Sequence, residues 1–250
     1  MSERRKSPVD AESITPQTCS TDVRLEVLSR VPFFAGLADE DLRRINRLFR
    51  EQGFASGEAI YFAGDPAARL YVVAEGKVKL MRHTWAGKDV MLDMLAPGEF
   101  FGSLSTLRHD QYPDTAQSQT AACVLSIESE EFRDILKDYP QVALKVLDIT
   151  SERLKSAHET IRQLSVFSVE RRIAHTLLKL GEKLGQQDKV GLLIQVPLSR
   201  DDLAEMTGTT TESASRVMSQ FQKDGLIESG RQWVAITDLE GLESIAQEDI

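Results

Sequence analysis

From Gln141 to about Phe167 the chain contains neither glycine nor proline. Within that stretch Leu147, Leu154 and Ile161 lie seven residues apart, and Thr150, Ala157 and Leu164 occupy the positions three residues on. The spacing predicts a long helix carrying an a/d seam over about three heptads. Two packings satisfy such a seam: two copies of the helix supercoiled across a dimer axis, or one long helix laid on its own β domain. The small and polar residues at the d positions call for a loose coil.

What precedes the helix follows a different rule. Residues 1–21 are rich in Ser, Thr, Pro and charge without periodicity, and are expected to form a mobile tail. Leu25, Leu28 and Val31, then Leu42, Ile45, Leu48 and Phe49, fall at helical spacing on either side of Pro32. From Phe54 to Ile127 the period becomes two, and Gly57, Gly64, Gly76, Gly87 and Gly98 punctuate it every seven to twelve residues. Val78 and Leu80 alternate with Lys77 and Lys79, and Val90, Leu92 and Met94 are set against Asp93. Trp85-Ala86-Gly87-Lys88 is a candidate hairpin turn. Short strands joined this way close into a sandwich, barrel or jelly roll. Met81, Met91, Met94 and Cys123 read as core filling.

After the long helix, Val169–Leu184 is helical and stops at Gly185. Gln186–Gly191 reads as a polar loop, Leu192–Val196 as a short strand, and Leu226–Ile236 as a two-stranded wing turning at Gly230. The expected divisions are a tail (1–21), a β domain (22–140), a dimerisation helix (141–167) and a C-terminal domain (168–250). Two domains suit 250 residues. No apolar run approaches ~18 residues, and no apolar stretch follows the early basic residues, so neither a membrane span nor a secretory signal is expected. Two cysteines fit a reduced, cytoplasmic setting.

The segment Arg200–Phe221 carries the functional signal. Ala204, Gly208 four residues later and Val217 nine beyond it match the helix-turn-helix spacing: the small residue lets two helices approach, and the glycine takes the turn's unusual backbone angles. Ala214, Val217, Met218 and Phe221 line the buried face of the second helix. Glu212, Ser215 and Arg216 share the opposite face near its N-terminus, where such helices meet the major groove. An arginine bonds guanine O6 and N7 bidentately, and a carboxylate accepts from cytosine N4. Thr211 adjoins this base-reading set, and Ser199, Arg200, Thr209 and Thr210 are candidate phosphate contacts. Each has a structural alternative: Thr209-x-x-Glu212 and Ser199-x-x-Asp202 are also capping boxes, and Glu212 with Arg216 is also an i, i+4 ion pair. A formal charge of −9 confines any DNA contact to a local patch on an acidic body.

The order of these parts resembles the CRP/FNR superfamily of bacterial transcription regulators. The likeness rests on Gly57, the strand ending at Gly76, Pro97-Gly98-Glu99-Phe100-Phe101-Gly102, and Leu203–Ile227 with Asp224-Gly225-Leu226. It implies an α+β chain: an N-terminal β-roll sensor domain (a cyclic-nucleotide-binding-like jelly roll), a long dimerisation helix and a C-terminal winged helix-turn-helix. It implies a homodimer acting on double-stranded DNA with RNA polymerase, under a small-molecule, gas or redox signal. The effector pocket it implies comprises Gly102, Ser103, Leu104, Asp114, Thr115, Ala157 and His158. In the cyclic-AMP-binding branch a Glu follows the roll's Gly and an Arg-Ser pair grips the cyclic phosphate. Here Ser103 and Asp114-Thr115 stand in those places, so cyclic AMP is not the expected ligand. The oxygen-sensing branch holds an iron–sulfur cluster on four cysteines, which Cys19 and Cys123 alone exclude within one chain. Glu212, Ser215 and Arg216 look like the FNR-type readout of a TTGAT–N4–ATCAA palindrome, as in haem-dependent, nitric-oxide-responsive regulators of nitrate respiration. Haem is therefore a candidate cofactor, with His158 a candidate ligand and a solvent-facing helix residue its alternative. His83 and His109 are expected in turns or at strand ends, and no residue set has metal-site spacing. A Cys19–Cys123 redox switch is a further alternative. A sensor module acting on a protein partner would share the roll but lack the C-terminal motif, and no catalytic motif points to an enzyme.

Overall fold

The computed structural model describes residues 8–9, 20–84, 89–103 and 110–247, with Thr21 described by its backbone alone. Most of the expected tail, the Trp85–Lys88 turn, Leu104, His109 and Cys19 lie outside the described residues. The chain divides into one unit of residues 13–84 and 92–158 and another of residues 1–12, 85–91 and 159–250.

Along the chain, α1 (Thr21–Arg30) and α2 (Asp39–Asn46) are followed by eight strands: β1 (Arg50–Phe54), β2 (Ala59–Tyr61), β3 (Arg69–Glu75), β4 (Val78–His83), β5 (Asp89–Leu95), β6 (Phe100–Gly102), β7 (Thr115–Ser118) and β8 (Ala122–Glu128). They form two four-stranded sheets ordered β1-β8-β3-β6 and β2-β7-β4-β5. α3 (Ser129–Asp138) follows, its first turn closed by a Glu128–Glu131 capping box. Then comes α4 (Pro140–Val166), 27 residues without interruption.

The first sheet is buried on both faces, because successive side chains point to opposite sides. Leu70, Val72 and Ala74 of β3, with Cys123, Leu125 and Ile127 of β8, pack against Val27, Leu28, Phe33, Phe132 and Val142 from the helical side. Phe33 anchors that layer, its ring edge-on to Phe34, Phe100 and Phe132 at 4.6, 4.8 and 5.5 Å. Tyr71 and Val73 of β3, with Ala122 and Val124 of β8, point instead into the roll, where Phe54, Tyr61, Val78, Phe101 and Tyr112 meet them. This double burial explains why β3 and β8 read as continuous apolar runs. Met81, Met91, Met94 and Cys123 are buried as expected.

In β5 the expected phase holds at Met94 and fails at Val90 and Leu92. Met91 is buried while Val90 and Leu92 are exposed, and Met94 and Leu95 are both inside. Apolar residues on both faces of this strand leave its period ambiguous, and the neighbouring strand sets its register.

The second unit contains α5 (Val169–Leu184), capped by the Ser168 hydroxyl, which accepts from Arg171 N. A four-stranded sheet ordered β11-β12-β10-β9 comprises β9 (Gly185–Asp188), β10 (Gly191–Ile194), β11 (Ile227–Gly230) and β12 (Trp233–Ile236). α6 (Arg200–Thr207), α7 (Thr211–Lys223) and α8 (Leu239–Gln247) complete it. The first half of the polar segment expected as a loop thus belongs to β9, an edge strand whose side chains are mostly exposed and whose pairing with β10 supplies its order. The wing turns at Arg231-Gln232 rather than at Gly230, which is paired with Trp233; Gln232 takes the left-handed angle at φ 61°. α8 was not expected, because Gly241 interrupts its apolar spacing; the Asp238 carboxylate accepts from Gly241 N and starts it.

Candidate nucleic-acid interface and effector pocket

Ser199 begins the motif as cap of α6. Its hydroxyl accepts from Asp202 N at 3.0 Å, and the Asp202 carboxylate accepts from Ser199 N at 2.8 Å, so the expected capping box is present. Leu203, Ala204 and Thr207 are buried against the rest of the unit. Gly208 closes α6 at φ 59°, ψ 42°, and Thr209 N donates back to Ala204 O at 3.0 Å. A Cβ on Gly208 would stand 3.1 Å from Leu164 Cδ2, so both the backbone angles and the crowding favour glycine.

α7 starts one residue later than the Thr209–Glu212 box requires. Thr210 is its cap, accepting from Ser213 N at 3.2 Å. This frees Glu212 from capping. Ala214, Met218 and Phe221 are fully buried and Val217 half-buried, while Glu212 and Arg216 are exposed on the other face with Ser215 between them half-exposed. Among the described residues, neither Glu212 nor Arg216 has an ion-pair partner, so the i, i+4 pair does not form. Two charged groups and a hydroxyl thus project from the start of a rigid helix with their bonding capacity unspent.

The flanking residues are already tied. Thr211 Oγ1 donates to Asp201 Oδ1 at 2.6 Å, linking the two helices of the motif. The Arg200 Nη2 donates to Ser229 Oγ at 2.8 Å, and that hydroxyl donates to Gln222 Oε1 at 3.1 Å, joining α6, α7 and the wing. Burial lowers the pKa of Arg200. Sequence reasoning missed this chain because its members are 29 and 7 residues apart and carry no motif.

On α4, Leu147, Leu154, Ile161 and Leu164 are 63, 58, 61 and 46% exposed, and Thr150 and Ala157 lie exposed with them. Leu144 and Val166, which the heptad spacing did not include, add 65 and 52%. A different face of the same helix carries Val142, Val146 and Ile149 onto the roll's helical-side core. The packing against the β domain therefore uses a different face from the expected seam, and among the described residues the seam side chains stay largely exposed.

In the roll, Gly102 ends β6 at φ 85°; a Cβ there would lie 2.8 Å from Tyr71 Cδ2 and from Arg69 O. Ser103 N donates to Arg69 O at 3.0 Å. Asp114 Oδ1 accepts from the Tyr61 hydroxyl at 2.9 Å, and Thr115 Oγ1 accepts from Ala63 N at 3.0 Å. Burial pushes the Asp114 carboxyl above its ordinary range, with the Tyr61 hydrogen bond and Arg82 opposing. Ala157 and His158 are exposed on α4. Among the described residues no group of three or more His, Cys, Asp or Glu side chains is gathered as for a metal ion. None of the described helices is long and apolar enough to cross a membrane.

Comparison with known proteins places the chain in a family. Residues 51–139 match the family described as Cyclic nucleotide-binding domain, and residues 171–245 match the Crp-like helix-turn-helix domain. The Cyclic AMP receptor protein of Thermus thermophilus is 30% identical over 86% of this chain and 96% of its own length. The probable transcriptional regulator flp of Lacticaseibacillus casei is also 30% identical, over 86% and 96%. FixK2 of Bradyrhizobium japonicum shares the fold at a TM-score of 0.71 and 22% identity, covering 81% of this chain and 99% of that one. This α+β chain, with a cyclic-nucleotide-binding-type roll, a long helix and a helix-turn-helix, belongs to the CRP/FNR family of DNA-binding transcription regulators, which are not enzymes.

Proposed function

We propose that the protein is a cytoplasmic homodimer that reads a palindromic TTGAT-like operator and acts there with RNA polymerase. The observation that carries this reading is the α7 face on which Glu212 and Arg216 stand exposed and, among the described residues, without an ion-pair partner. Arg216 takes guanine bidentately, Glu212 accepts from cytosine N4 on the opposite strand, and Ser215 completes the contact with Thr211 beside it. Ser199, Thr209 and Thr210, with the backbone N–H groups at the starts of α6 and α7, seat the phosphates. Arg200 joins them while bracing the wing through Ser229. The exposed apolar face of α4 supports pairing of two copies, which sets two reading helices one DNA turn apart.

Cyclic AMP is not the signal in this reading, although several relatives are named for it. The Asp114 carboxylate replaces the cation that would grip a cyclic phosphate, and Ser103 replaces the carboxylate that would hold the ribose. His158 is a single exposed imidazole, and among the described residues no cluster of His, Cys, Asp or Glu accompanies it. A module acting on a protein partner in place of DNA is disfavoured by the complete, capped helix-turn-helix.

Arg216→Ala tests the assignment. Loss of one bidentate guanine contact removes about 1–3 kcal/mol of discrimination per half-site. Binding to TTGAT–N4–ATCAA should weaken about 100-fold for the dimer, with preference relaxed at that guanine and dimer and melting curve unchanged. Retained sequence preference would refute the assignment of α7 as the reader.

A further inference from the structure

The two ends of the pocket that the family resemblance marks, Gly102-Ser103 and Asp114-Thr115, are bridged by the protein's own aromatic rings. At one end the Tyr71 ring lies against Gly102 so closely that a Cβ would sit 2.8 Å from it. At the other end the Tyr61 hydroxyl donates to Asp114 at 2.9 Å. Between them Tyr61 stacks on Tyr112 with centroids 3.8 Å apart and planes 18° from parallel. Tyr61 and Tyr71 are 5.6 Å apart, and Tyr71 stacks on Phe101 at 5.2 Å. Tyr61 and Tyr112 are 5 and 4% exposed.

The polar atoms of this assembly are also spent. The Tyr112 hydroxyl accepts from Arg69 N and donates to Arg69 O, both at 3.0 Å, while the Arg69 guanidinium pairs with Glu128 at 2.8 Å. Thr115 Oγ1 is taken by Ala63 N and Asp114 by Tyr61. A site built to wait for a polar ligand leaves groups that the ligand will satisfy, since buried polar atoms without partners are costly. Here a molecule taking the place of these rings would have to break the Tyr61–Asp114 bond and unstack Tyr61 from Tyr112, and an anion would then meet a carboxylate.

We infer that Tyr61, Tyr112 and Asp114 are a permanent internal occupant of the roll's ligand site, so that DNA affinity does not depend on a small molecule bound there. A ligand shifts a two-state regulator only through its differential affinity for the two states. An occupant that is part of the chain imposes its bias at every solute concentration. The inference rests on the DNA-binding reading above, and its test separates the two.

The experiment uses the full chain, passed over charcoal and dialysed. Operator affinity and melting temperature are measured without additions and with cyclic AMP or cyclic GMP at millimolar concentration. Affinity within twofold across these conditions and no saturable melting shift are expected. A tenfold gain in affinity or a saturable shift with either nucleotide would overturn the inference while leaving the DNA reading intact. Absence of sequence-specific binding in every condition refutes the DNA reading, and the melting arm still decides the inference. Tyr61→Ala supplies a second arm by vacating the ring's place. Free p-cresol, the tyrosine side chain as a molecule, should raise the melting temperature of this variant by several degrees and leave the wild type unmoved. A folded variant that p-cresol does not stabilise would count against the occupant role, and a variant that fails to fold leaves the decision with the wild-type arms.

Discussion

Truncating one seam leucine should split the dimer without harming the protomer. Leu154 is 58% exposed in the protomer. Full burial of a leucine side chain is worth about 2 kcal/mol, so covering that exposed fraction at a dimer axis gains about 1.2 kcal/mol per copy. Leu154→Ala forfeits roughly three quarters of the gain, and two-fold symmetry counts it twice, which gives about 2 kcal/mol. The dimer dissociation constant should therefore rise about 30-fold. Sedimentation equilibrium over a concentration series reads this directly. Lys155→Ala is the control: its amine pairs with Glu152 at 2.6 Å on the solvent side, and its loss should leave the constant within about twofold. Operator binding should weaken in parallel for Leu154→Ala at protein concentrations below the new dissociation constant. A variant that dimerises like the wild type would refute the seam, since a residue that exposed has no other packing role to explain silence.

Two further outcomes concern the second unit. Gly208→Ala places a Cβ at φ 59° and 3.1 Å from Leu164 Cδ2, and should cost about 1–2 kcal/mol in urea unfolding; an unchanged midpoint would show that the turn relaxes freely. His175 stacks on Phe167 at 5.4 Å, and burial lowers its pKa; Arg171 and Arg162 add to the lowering, while its hydrogen bond to the Ala246 carbonyl and the charge of Glu159 oppose it. A depressed histidine contributes its full stability above its unfolded value near 6.5 and loses it as pH falls below that value towards the folded one. Stability measured between pH 7.5 and 5 should fall on the acid side, and His175→Gln should flatten that slope (window on the order of the histidine range); an equal slope in both proteins would assign it to other groups.

Legibility in the sequence followed the locality of the cause. Helix limits came from neighbours: Ser168 caps α5 and Gly185 follows it, and both boundaries coincide with the expected ones. The turn glycine Gly208 was equally local. Where two neighbouring strands decide, the reading slipped. β5 carries apolar residues on both faces, so alternation alone did not say which face is inside, and β9 is a strand only because β10 pairs with it. The cap of α7 shifted from Thr209 to Thr210 because three consecutive threonines offer the same chemistry, and the backbone of the turn selects among them. That Glu212, Ser215 and Arg216 share one outward face of α7 was legible since i, i+3 and i+4 positions need no tertiary knowledge. The tyrosine assembly was not, because Tyr61 and Asp114 are 53 residues apart and tyrosines in strands read as ordinary core.

That assembly also shows why likeness at the roll's glycine says little about ligand. Gly102 is required by the approach of the Tyr71 ring and of Arg69 O, a constraint of β3 packing on β6 that holds whether or not anything is bound. Thr115 likewise serves the frame, its hydroxyl taking Ala63 N at the end of β2. Ser103 and Asp114 sit beside these two positions. In a ligand-gripping roll their places belong to the nucleotide; here the Asp114 carboxyl is held by Tyr61. The residues that shape the roll and those that choose its occupant alternate along the same short segments. A chain can therefore keep the first set, and every family likeness that goes with it, while exchanging the second for rings and a carboxylate of its own. In the proposed reading the helix α7 has no such freedom, because Glu212, Ser215 and Arg216 are set against bases whose chemistry the protein does not choose. Their spacing is accordingly the stronger guide to what this regulator recognises.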